Sequence, residues 1–175
     1  MSLTVRRVLS AHVEGIDVFT SVAELTSRHP PLIGNEILRL WASDDVPSLP
    51  AGDEINDLTL PFFPAPGGLR VAIWTVPSGF HEGPTAANTP DNRALTEEIV
   101  PGMMSVSVDP SGLHTTPSID IQFILSGEVD LIHPDGAYET LRAGDVLILV
   151  GTTHGWRNKT TEDCAMLGIF YGGRS

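Results

Sequence analysis

Beyond Met103 the chain is a series of short apolar runs at residues 104–108, 119–125, 128–133, 137–141, 146–150 and 164–171. Turn-forming residues separate them: Ser126-Gly127, Pro134-Asp135-Gly136, Ala143-Gly144-Asp145, Gly151-Thr152-Thr153 and the polar stretch 159–163. Runs this short cannot form long helices. Their spacing of roughly eight to twelve residues, with turn chemistry at each break, predicts strands of a sandwich or barrel. With 17 Gly and 14 Pro among 175 residues, the same punctuation extends over the whole chain.

The first half is less regular. Ser21, Val22, Ala23 and Glu24 form a capping-box pattern for a short helix, which His29, Pro30 and Pro31 would end. In residues 35–41, Ile37, Arg39 and Trp41 alternate with Glu36, Leu38 and Leu40, which predicts a strand. Residues 44–68 carry five acids and five prolines and read as an excursion over the surface, docked by Phe62 and Phe63. A strand at 69–76 precedes a second excursion, 77–101, of the kind that forms a lid or subunit arm, with a short helix expected at 94–99. Residues 1–102 thus contribute N-terminal strands, an extension and long loops, and 103–175 the barrel core. The length suits one domain overall.

Charge narrows the choice of partner. Twenty-two acids against ten basic residues give a net charge of −12, which repels nucleic acid phosphates and anionic membrane surfaces. No apolar stretch approaches membrane-spanning length, and none follows Arg6 and Arg7 as a secretory signal would require, so the expected location is cytoplasmic. The single cysteine, Cys164, lies in an apolar run and reads as a small buried hydrophobe.

In the run 119–125, side chains alternate between the two faces of a sheet. Asp120, Gln122 and Ile124 share one face; Ile119, Ile121, Phe123 and Leu125 share the other. If the apolar face packs the body, Asp120 is in solvent. If the polar face lines a lumen, the apolar face needs cover from elsewhere, for instance an opposing subunit.

Of six histidines, His114 and His154 follow turns at strand ends, where a side chain can be aimed into a lumen without disturbing a ladder. The segment from Gly112 through His114, Thr116 and Asp120 to Gly127 resembles the first motif of the cupin family. The segment from Gly144-Asp145 through His154 to Asn158 resembles the second. The resemblance implies an all-β double-stranded β-helix, a jelly-roll barrel, usually dimeric, with a metal in its mouth. The family's usual ligands are three histidines and a glutamate. Here the second histidine's place is taken by Thr116 and the acid is Asp120, so the resemblance carries over only His114, Asp120 and His154 as metal ligands. Two imidazoles and one carboxylate suit Fe and are compatible with Mn, Ni or Zn.

Two functions follow as expectations. One is a metal-dependent enzyme of dioxygenase, decarboxylase or isomerase type, acting on a small organic acid or ring compound, with Gln122 hydrogen-bonding the substrate. The other is a barrel that binds or senses a small molecule without metal, in which Thr116 fills space or holds a water. His81 in the second excursion is a candidate third nitrogen. Trp74, Trp156 and Tyr171 read as core or interface aromatics, any of which could instead line a pocket for a ring-shaped ligand, and Asn158 with Arg157 as supports of a turn. A lumen-facing Asp120 makes a homodimer the expected assembly.

Overall fold

The computed structural model describes residues 2–46, 48–51, 60–81, 87–106 and 111–174. It is an all-β barrel of jelly-roll type. One sheet has five antiparallel strands in the order β3 (Ile37–Ser43), β4 (Leu69–Val76), β10 (Cys164–Gly172), β5 (Ser118–Ser126) and β8 (Val146–Val150). The facing sheet has three, in the order β7 (Tyr138–Arg142), β6 (Glu128–Ile132) and β9 (Gly155–Arg157). Strands from both halves of the sequence therefore share one sheet, because β4 pairs with β10 along its whole length.

Two apolar clusters form the core, the first between the two sheets and the second between the five-stranded sheet and the two excursions. Val76, Val129, Leu149, Trp156 and Met166 belong to one, and Ile37, Phe62, Ala72, Val100 and Phe170 to the other. Trp74 packs against both. Phe62 anchors the first excursion as expected, its ring edge-on to Phe170 at 5.3 Å, and such a buried aromatic contributes about 2–3 kcal/mol through its area alone. Arg70, buried at the rim, ties down both ends of this excursion. Its Nε donates to the Pro61 carbonyl at 2.7 Å and its Nη1 to the Ser43 carbonyl at 2.7 Å, while Nη2 pairs with Asp44. A rigid guanidinium fork can serve three acceptors at once, which a lysine cannot.

The structure differs from the sequence reading in two segments. Ser21–Glu24 start no helix; they lie in β2 (Ile16–Thr26), which pairs with β1 (Thr4–Val13) in a long hairpin. Glu14 and Gly15 at its tip both have positive φ, 50° and 87°, as a tight hairpin turn requires. The β-branched residues Val5, Val8, Val18, Thr20 and Val22 reinforce the ladder, and together they outweigh one short capping pattern. The second difference is at 104–108, read as a strand. Met103–Ser105 form a 3₁₀ turn after Gly102, and residues 107 and 108 lie outside the described residues.

The helix of the second excursion, α1 (Pro90–Ile99), begins earlier than expected. The Thr89 side chain accepts from the Asn92 amide, and Pro90 occupies the first turn, where no amide hydrogen is needed. Among the described residues no helix is long and apolar enough to cross a membrane.

Gly127 sits where the chain passes from β5 to β6, and so from one sheet to the other. Its φ is 74°, and a Cβ there would lie 2.5 Å from the Asp163 carbonyl oxygen. The neighbour is backbone and cannot swing away. Gly127→Ala is therefore expected to lower stability by about 2–4 kcal/mol, measurable by urea denaturation, through left-handed strain and the clash together.

Candidate functional site

The centre of the site is a pair of backbone hydrogen bonds. His114 and His154, on loops at the barrel end, form an isolated antiparallel bridge in which each amide donates to the other's carbonyl at 2.9 Å. The bridge sets the two imidazole rings 4.5 Å apart. Each ring is held again through Nδ1, which lies 2.9 Å from the Thr152 carbonyl in His154 and 3.2 Å from the Gly112 carbonyl in His114. A carbonyl only accepts, so Nδ1 carries the hydrogen in both rings, and the His154 ring, when neutral, keeps its lone pair on Nε2. His154 is 2% exposed, and Trp156 stands edge-on to its ring at 5.7 Å.

Asp120 and Gln122 face the lumen from β5, at 2% and 1% exposure, while Ile119, Phe123 and Leu125 point outward and are exposed. This is the second of the two arrangements that strand parity allowed. Asp120 is sustained by hydroxyls: Thr116 donates to Oδ2 at 3.0 Å and Ser118 to Oδ1 at 2.5 Å. Burial raises the Asp120 carboxyl above the ordinary range, opposed by these two hydrogen bonds and by the nearby His114. Burial lowers the His154 imidazole, opposed by the Thr152 carbonyl, with His133 adding to the lowering.

Gln122 is positioned as firmly. Its Oε1 accepts from the Trp74 indole at 3.1 Å, and Gly168 stands opposite on β10, where a Cβ would come within 2.8 Å of that oxygen. The strand partner must therefore be glycine for the amide to lie as it does. In the sequence Trp74 reads as a core or interface aromatic with pocket lining as the alternative, and Ser118 is not singled out as part of the site. Ser118 was within reach of the argument, since it lies two residues before Asp120 and so on the same face.

Among the described residues, no group of three His, Cys, Asp or Glu is arranged to hold a metal ion. The donor set suits a metal only in part. Both imidazoles are oriented by backbone carbonyls through Nδ1, as metal-binding histidines are. Asp120, however, is turned to two hydroxyls, those of Thr116 and Ser118. His81 is exposed and bridges Arg157 through the backbone; with Leu113, Gly155, Trp156 and Arg157 it lines a cavity of about 260 Å³, to which neither His114 nor His154 contributes.

Two neighbouring groups are structural. The buried Asn158 amide donates to the Val76 and Glu162 carbonyls at 3.0 and 2.8 Å and accepts from Thr160, closing its turn. Asp130, on the outer face of the small sheet, accepts from Arg157, Lys159 and Thr140 at 2.8 Å each. Cys164 is buried, and its thiol is pushed up to about 12, which makes it inert.

No family model matches the sequence. Phomopsin biosynthesis cluster proteins C′ and D of Diaporthe leptostromiformis are each 43% identical over 58 residues, 31% of this chain. The match spans 31% of the length of those curated relatives. Among solved structures, the chain is similar to a Cupin 2 conserved barrel domain protein from Salinispora arenicola, at 18% identity over 83% of this chain and 80% of that one, with a TM-score of 0.45.

The two perturbed groups act on stability in opposite senses. His154 has a lowered value in the fold, so its contribution is complete above the unfolded value of 6.5 and is lost as pH falls through the folded value. Asp120 has a raised value, so its contribution is complete below 3.8 and is lost as pH rises through the folded value. His154→Gln should therefore flatten the fall in melting temperature between pH 7 and pH 5, and Asp120→Asn should steepen it. Thermal unfolding monitored by circular dichroism checks both.

Proposed function

We propose that the lumen binds a small organic acid or ring compound and moves a proton on it, as an isomerase-type cupin. The observation that carries this reading is the His114–His154 bridge, which sets two imidazoles side by side, with His154 buried and Trp156 edge-on to its ring. His154, lowered by burial, is neutral at pH 7 and suits a general base. Its Nε2 would take a proton from a carbon beside the substrate's carbonyl, leaving an imidazolium and an enolate. His114, with the Asp120 carboxylate nearby to balance its charge, would protonate the enolate oxygen or the neighbouring carbon. Passage of the proton from His154 to His114, whose ring lies 4.5 Å away, then restores the starting state. Environments that push neighbouring titratable groups apart are what acid–base pairs need. The indole of Trp74 fixes Gln122, whose amide N–H₂ is then a donor for a substrate oxygen.

A second reading is favoured by one specific feature. The Nδ1–carbonyl bonds orient both imidazoles as metal-binding histidines are oriented, which supports a divalent ion, of the Fe, Mn, Ni or Zn group, on His114 and His154. Such an ion would supply Lewis-acid polarisation of a substrate oxygen.

A screen of small organic acids and cyclic carbonyl compounds by thermal shift, followed by ¹H NMR in D₂O, separates the readings. Chelator-treated protein should exchange a ligand C–H for deuterium, and His154→Gln should slow that exchange by about 10²–10⁴-fold. Exchange only after metal is restored would support the ion instead. Tight binding with no exchange would leave a binding barrel without catalysis.

A further inference from the structure

The cavity beside His81 owes its place to strand parity in the small sheet. Leu131 and Trp156, paired across β6 and β9, pack the core, so their neighbours Ile132, Gly155 and Arg157 stand on the outward face. Gly155 is the partner of Ile132 and puts no side chain there. A hollow therefore opens over it, bounded by Ile132, Arg157, Leu113 and His81, the last tied to Arg157 by its backbone bridge. Its volume of about 260 Å³ has room for about nine non-hydrogen atoms, at ~30 Å³ for each water-sized group.

Charge gives the hollow a sign. Burial would raise the Asp130 carboxyl, but hydrogen bonds from Lys159, Thr140 and Arg157 hold it below the ordinary range, so it is ionised. Arg157 and Lys159 share that one carboxylate, which leaves one positive charge over, while the nearby Arg142 is matched by Glu128. Arg157 is also fixed in orientation. Its Nε and Nη2 donate to Asp130 Oδ2 at 3.1 and 2.8 Å and its guanidinium lies 5.1 Å from the Tyr138 ring, while Nη1 has no partner among the described residues. We propose that the hollow is a second binding site, for a small monocarboxylate with an apolar body of about benzoate size. The carboxylate would take a charge-assisted hydrogen bond from Arg157 Nη1, and the body would lie against Ile132 and Leu113. Apolar walls disfavour phosphate, whose further oxygens would go unpaired there. The chain's net charge of −12 disfavours a second carboxylate away from Arg157. The site stands apart from the proton-transfer reading, since neither His114 nor His154 lines it.

Titration of the full chain with sodium benzoate, followed by ¹H–¹⁵N NMR, tests the proposal. Benzoate should bind saturably and shift the Gly155 amide and the Arg157 Nε–H, and benzamide, which has the same shape without the charge, should bind at least tenfold more weakly. Arg157→Gln should weaken benzoate at least tenfold and leave benzamide unchanged, whereas His154→Gln should leave benzoate affinity within twofold. No saturable shift, equal affinity for benzamide, or displacement of benzoate by an equal concentration of inorganic phosphate would overturn the site. Affinity lost in His154→Gln and kept in Arg157→Gln would put the ligand in the lumen, and so would overturn it while favouring the lumen reading. Because Arg157 also serves Asp130, a second variant keeps the test independent of folding. Ile132→Trp, at a half-buried position, fills the hollow and should abolish binding with far-UV circular dichroism unchanged; benzoate affinity that survives it refutes the proposal.

Discussion

A carboxylate and an amide on the inner side of β5, with isoleucine, phenylalanine and leucine on the outer side, is the constraint that the other features answer. Burying an unsatisfied carboxylate costs several kcal/mol, so Asp120 can stay inside only with donors in place. Thr116 and Ser118 supply them from the same segment, one entering the strand and one at its first position. Gln122 obtains its donor from Trp74 two strands away, which is possible because Gly168 on the intervening β10 leaves the path open. The polar face is thus satisfied chiefly by side chains of its own sheet and of the segment that leads into it.

That arrangement gives Thr116 a physical role. A hydroxyl is short, and it bonds to the buried carboxylate directly. The site then presents two imidazoles held through Nδ1 by backbone carbonyls, with a buried acid near one of them.

Much of the barrel was legible because β-structure is written locally. A turn glycine after an alternating or continuous apolar run marked β5, β6, β7, β8 and β10 to within a residue or two at each end. The N-terminal hairpin was not legible in the same way. Its strands mix polar and apolar residues on both faces, and a serine three residues before a glutamate imitates a helix start. Only the cross-strand partners, such as Val8 opposite Val22, decide for the sheet. Strand β9 is three residues long, too short to show a period. In the site, parity placed Asp120 and Gln122 together, and the motifs placed the histidines. The hydroxyl bonds to Asp120 and the indole on Gln122 depend on strand register and on Gly168 opposite, neither of which a single strand carries.

The outward face follows from the same parity, and it concerns the site's stiffness as well as assembly. β5 is paired on both edges, to β10 and β8, and its inner face is packed, so its outer face is the one side still open to water. β8, with only one paired edge, is less constrained, yet its Leu149 packs the lumen directly opposite Asp120. The loop that carries His154 begins where β8 ends. Movement of β8 would therefore shift the imidazole relative to its partner on the other loop, and a displacement of about 1 Å is enough to cost two orders of magnitude in a positioned reaction. Covering the outer face would hold β8 against β5 and so hold the spacing of the two rings. Inner polar face and outer apolar face then serve one requirement, since a lumen of buried polar groups is useful only if the strands that frame it do not move.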